Sequence, residues 1–332
     1  MKKSLIALAV AGAFAAPAFA ATSNVDVYGV LNITVEDTNF TGVTPSVLDN
    51  TSRIGFKGSE DLGGGLKAIW QIESALGGNG APISGTTWAT RNTFVGLSGG
   101  FGTVLMGNHD TPYKLGTASL DIFADTIADY NLGRLGNVSA NGATANAGVQ
   151  LLSNAHDARN NQALAYISPT WSGFHFAAAV VMNNNAGASD KTDDAISLTG
   201  VYVNGPLFAS LSYQDLGDAA GTNLTNHATK AGIGYTFGDT KVGFVYETVD
   251  TGAAATDRDS WLLNVAHTMG PMVLKAQYGQ ADVGTAGQDA WALGVDYNLS
   301  KRTAAYVVFG SGDTDTAAGS ASGWNIGIKH SF

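Results

Sequence analysis

WNIGIKHSF, residues Trp324 to Phe332, alternates without a break and stops on an aromatic. In an extended strand successive side chains point to opposite faces, so Trp324, Ile326, Ile328, His330 and Phe332 share one side. Asn325, Gly327, Lys329 and Ser331 share the other. An apolar face backed by a small and polar one suits a barrel strand with lipid outside and water inside. The rest of the chain is read against that expectation.

The opposite end agrees with it. Lys2 and Lys3, the apolar run Leu5 to Ala16, and the small residues around Ala18 and Ala20 have the form of a secretory signal, with cleavage expected after Ala20. The run is too short for a spanning helix. Residues 1–20 are thus expected to be removed, leaving 21–332 as one barrel domain. Loss of two lysines takes the formal charge from −10 to −12. An acidic chain lacks the basic groove that nucleic acid requires, so no nucleic-acid partner is expected. With 43 Gly, 7 Pro and 13% charged residues, the composition fits many short strands joined by turns. Cysteine is absent, so disulfides cannot stabilise the exported chain, whereas closing a sheet on itself can.

Segments with period two, bounded by turn residues, number sixteen: 24–36, 51–59, 64–76, 86–98, 101–109, 158–168, 172–183, 193–204, 206–215, 226–237, 240–250, 258–269, 271–282, 288–299, 301–311 and 321–332. Short links such as NGP, GDT and MGP alternate with longer polar ones, as in a barrel with tight periplasmic turns and larger outside loops. An even count lets the first strand close against the last. The expected fold is therefore all-β: a transmembrane antiparallel barrel of sixteen strands.

Some charges must then point inward. Ile54 and Phe56 mark a lipid side and turn Arg53 and Lys57 to the interior; Leu164 and Tyr166 do the same for Arg159. Phe94 and Gly96 are read as facing out, which places Arg91 inside. On the lipid face each charge would cost roughly 2–4 kcal/mol at the midplane, a cost that water or a carboxylate removes. Residues 110–157 are too long for a plain linker. Leu120, Ile122, Phe123 and Ile127 give this segment packing surface, and Asp121, Asp125 and Asp129 give it charge. It is expected to fold into the bore and present carboxylates to the arginines; a loop outside with a solvated acidic face is the alternative.

VDVYGVLN (25–32), SRIGFKGSEDLGGGLKAIWQIE (52–73), RNTFVGLSGGFGTVLMGNHDTPY (91–113), RNNQALAYISPTWSGF (159–174), LSKRTAAYVVF (299–309) and the terminal HSF together resemble the general diffusion porins of beta- and gammaproteobacterial outer membranes. The resemblance implies a homotrimer of sixteen-stranded barrels whose third outside loop forms a constriction. It implies passive diffusion of small hydrophilic solutes and ions, without cofactor, metal or catalysis. By position, Arg53, Arg91 and Arg159 resemble the family's basic wall, Asp121 the acidic side of the loop, and Asp125 a weaker match to it. Val30 stands where some relatives carry a lysine, which would make the wall less cationic. The implied setting is outer-membrane lipid and lipopolysaccharide. Trp324, Ile326, Ile328 and Phe332 would serve barrel closure and delivery through the outer-membrane assembly machinery.

Other patterns carry less. The six histidines lack zinc-ligand spacing, and no GxSxG elbow is present. DTDTAAGS (313–320) lacks the Gly and Glu of a helical calcium loop. A plugged barrel acting as an adhesin or structural protein is the rival reading, separable by conductance.

Overall fold

In the computed structural model the described residues are 24–38, 45–79, 88–130, 149–182, 195–217, 226–315 and 320–332. The expected signal peptide, 1–20, lies outside them. Seventeen β segments follow one another. The first eight are β1 (Asn24–Thr38), β2 (Ser46–Asp49), β3 (Arg53–Gly63), β4 (Leu66–Ala75), β5 (Thr93–Gly99), β6 (Gly102–Asp110), β7 (Arg159–Ile167) and β8 (Phe174–Val181). Then come β9 (Ala195–Asn204), β10 (Leu207–Asp215), β11 (His227–Phe237), β12 (Thr240–Asp250) and β13 (Arg258–Met269). β14 (Met272–Val283), β15 (Ala286–Asn298), β16 (Thr303–Thr314) and β17 (Ala321–Ser331) complete the sheet. Pairing is antiparallel, and β1 against β17 closes the ring.

Seventeen segments make sixteen staves. β2 pairs with Ile33–Glu36 of β1 and β3 with Asn24–Val30, so the two are one stave interrupted at residues 50–52. Thr51 takes a positive φ of 60° there, which breaks the extended run. The alternation expected at the C-terminus is present: Ile326, Ile328 and Phe332 are exposed while Asn325 is fully buried. Closure is carried to the last residue, where the Gly29 and Phe332 amides each donate to the other's carbonyl at 3.1 Å. A Cβ at Gly29 would lie 2.4 Å from Phe332 Cζ, so only glycine leaves room for the terminal ring across the seam.

One face assignment is corrected. Val95 and Leu97, not Phe94 and Gly96, point outward on β5. Phe94 packs with Leu105, Ala165 and Ala179, and its ring meets His109 edge-on with centroids 5.2 Å apart. The regular strand begins at Thr93, seven residues later than the sequence suggests, and residues 88–92 are irregular. Parity counted from Phe94 therefore does not reach Arg91.

The segment after β6 opens with a short helix, α1 (Pro112–Leu115). Thr111 Oγ1 caps it by accepting from the Lys114 amide, and proline occupies the first turn, where its missing N–H costs nothing. A 3₁₀ turn, Ala118–Leu120, follows. Beyond it Leu120, Phe123, Ile127, Tyr130, Leu151 and Leu152 bury themselves against Val245, Leu262, Ala292, Tyr306 and Val308. Those wall residues alternate with exposed outward neighbours such as Leu263, Leu293 and Val307. Burial of the segment's apolar side chains against these wall residues is what holds it.

Candidate functional site

Three arginines meet three carboxylates on the inner side. Arg53, the first residue of β3, donates to the Thr51 carbonyl at 3.1 Å and lies 3.3 Å from the Asp125 carboxylate. Lys329, from β17, reaches the same Asp125 oxygen at 3.3 Å. Thr51 adds a hydroxyl hydrogen bond to Asp125, and Asn32 donates to its backbone carbonyl at 2.9 Å. Asp125 is held at φ 63°, a left-handed conformation that aspartate tolerates better than bulkier residues. Burial disfavours its charged form, but Lys329 and Arg53 outweigh burial and hold the carboxyl below its ordinary value.

Arg91 lies 2.7 Å from Glu73 of β4, whose other oxygen accepts from the Tyr28 hydroxyl at 3.0 Å. Lys57 sits 5.2 Å from the centre of the Tyr28 ring, in cation–π range. Arg159 pairs with Asp110 at 3.0 Å and donates through Nε to Asn92 at 2.6 Å. Lys114 shares Asp110, also at 3.0 Å. A polar cavity of about 280 Å³, lined by Thr90, Asn108, Arg159 and Asn161, opens beside this pair.

Asp121 is placed elsewhere. Among the described residues it makes no ion pair with Arg53, Arg91 or Arg159; its carboxylate accepts from the Phe123 amide at 3.0 Å. Burial and the neighbouring Asp129 push this carboxyl up, and Lys275 offsets that only in part. The loop carboxylate that meets the wall is Asp125. Lys329, Glu73, Asp110 and Thr51 are not singled out by the sequence reading. For Lys329 a signal exists, since the terminal alternation already puts it on the inner side. The other three become recognisable only when distant segments meet. Among the described residues no His, Asp or Glu group is arranged for a metal ion.

A closed barrel with an apolar belt outside and a charged wall inside defines a water-filled channel through the outer membrane. The chain belongs to the Gram-negative porin family, whose model matches residues 7–317. It is 31% identical to outer membrane porin protein 32 of Delftia acidovorans, over all of both chains. It also matches the solved anion-selective porin from Comamonas acidovorans at 25% identity and TM-score 0.80, covering 93% of this chain and 100% of that one. At 18% identity and TM-score 0.66, over 93% and 99% of the two chains, it shares the fold of in-vitro folded OmpT of Vibrio cholerae in its trimer form. The protein is an outer-membrane diffusion channel.

Proposed function

We propose that residues 110–157 narrow the bore to an eyelet and that Arg53, Arg91, Arg159 and Lys329 make this eyelet select anions. The observation that carries the reading is the convergence of cations from separate segments of the chain on fewer carboxylates. Asp125 alone serves both Arg53 and Lys329, and Lys57 adds charge without a carboxylate contact among the described residues. Fixed positive charge in a narrow, low-dielectric passage attracts anions and repels cations. The Comamonas acidovorans porin, similar in sequence and fold, is itself anion-selective. Shortening the chain between residues 120 and 150 tests the eyelet directly. Single-channel conductance should rise, and an unchanged conductance would return the loop to the outside.

The working unit in this reading is a homotrimer. Val25, Val27, Leu31 and Val35 of β1, with Val95 and Leu97 of β5, present exposed apolar side chains on which neighbouring barrels can pack. Remaining outward surface faces lipid and lipopolysaccharide, and the terminal strand is the element the assembly machinery reads. Native mass measurement in mild detergent tests the trimer; a monomer alone would refute it.

A further inference from the structure

Between the loop and the wall strands lies a buried set of ionisable groups that diffusion does not use. Lys230 of β11 donates to Asp157 at the loop's end, and both side chains are fully buried. The same ammonium lies 4.2 Å above the ring of Tyr113, from α1 at the loop's beginning. Tyr113 donates its hydroxyl to Glu247 of β12 at 2.8 Å, and the Ser153 amide donates to the second Glu247 oxygen at 2.6 Å. Ser153 Oγ and His156 Nδ1 are 2.9 Å apart. Tyr113, Ala228 and Val249 form an apolar cluster over the site. Both ends of the loop are therefore tied to the wall through one compartment.

Its charges do not balance locally. Asp157 and Glu247 are two carboxylates around one ammonium. Arg258 approaches Glu247 from β13 and Lys114 approaches Asp157 from α1, both at longer range; Tyr130 and His156 face the compartment from the loop. Among the described residues, the second Asp157 oxygen, Oδ2, is buried without a hydrogen-bond partner. A buried carboxylate oxygen with nothing to accept from is where a proton is most easily accommodated.

We propose that this compartment is a proton-loaded latch: seating the loop takes up one proton on Asp157, so the loop is held more firmly in mild acid and more loosely as the medium becomes alkaline. A proton on Asp157 removes one of the two carboxylate charges gathered around Lys230. Burial first, and Glu247 second, push Asp157 up to about 6 despite Lys230. Burial moves the His156 imidazole the other way, below its ordinary value. Sign follows from linkage. Asp157 released to water would have a pKa of roughly 3.9, so the seated loop binds more protons than the released one between those values. Seating is then favoured about tenfold more at pH 5 than at pH 7.5. The inference concerns how the loop is held, and it stands whether or not the eyelet selects anions.

Hydrogen exchange on the full barrel in detergent tests it, read at the amides of Leu152 and Asp157, which donate to the Tyr130 and Ser153 carbonyls. After correction for intrinsic rates, protection of the native protein should rise about tenfold from pH 7.5 to pH 5, with one proton's steepness. Asp157→Asn, which imitates the loaded carboxyl, should be equally protected at both values, while amides in β13 to β15 report an intact barrel. His156→Gln should keep the native dependence. Protection independent of pH in the native protein, or a dependence that survives Asp157→Asn and disappears in His156→Gln, would overturn the latch.

Discussion

Asp125 and Asp121 are four residues apart in one loop, yet their surroundings assign them different work. Asp125 sits between Arg53 and Lys329, whereas Asp121 turns back onto its own backbone beside Asp129. Asp125→Asn should therefore leave two cations uncompensated and move the reversal potential in a salt gradient further towards anions. Asp121→Asn should move it by much less. A larger effect from Asp121 would show that the loop tip sits differently on the wall. Sequence shows that acidic residues and arginines belong to one interior, but not which of them meet. Pairing is decided by the turn at Asp125, whose positive φ and hydrogen bonds to Thr51 and Asn32 depend on strands more than seventy residues away.

Among elements, the terminal strand is the most legible, because lipid on one side and water on the other impose a strict period of two. Strand β5 misleads for the converse reason. Its inner side is covered by neighbouring chain, and Phe94 is as apolar as a lipid-facing residue. Periodicity reports which side is apolar, and where the interior is packed that no longer means outside. The segment β2 is invisible to periodicity because four residues ending at a break give no repeating signal. For β17 the reading is testable. Ile328→Asp puts a carboxylate on an exposed lipid-side position, where any charge is destabilising, although by less than the roughly 2–4 kcal/mol that lysine or arginine costs at the midplane. Folded, heat-modifiable protein in outer membranes should fall sharply. Gly29→Val should weaken closure through a different cause, since its side chain would overlap the Phe332 ring and the Arg53 carbonyl. Overpacking of this kind costs about 1–3 kcal/mol, and heat dissociation of the folded barrel should occur at lower temperature. Normal behaviour of the Gly29→Val protein would mean that the seam does not depend on the terminal ring.

At the scale of the whole molecule, total charge and charge placement make opposite predictions about the channel. The chain carries a formal charge of −10, and many carboxylates stand towards the strand ends, among them Asp250, Asp282, Asp289 and Asp313. A channel governed by net charge would prefer cations. At the inner wall, however, Arg53, Arg91, Arg159, Lys57 and Lys329 gather where the loop is seated, and the carboxylates paired with them among the described residues are Asp125, Glu73 and Asp110. In the proposed eyelet, wall charges act across a few ångströms of water bounded by protein, whereas those at the rim are screened over about 8 Å at physiological salt. Placement should win. In a potassium chloride gradient the reversal potential should report chloride preference. Neutralising Arg53, Arg91 or Arg159 with glutamine should reduce it stepwise. Preference should also weaken as salt rises towards 1 M, where the screening length falls to roughly 3 Å and even the wall charges are shielded. Cation preference in the native channel, or a preference untouched by all three substitutions, would place control of selectivity at the acidic rim instead.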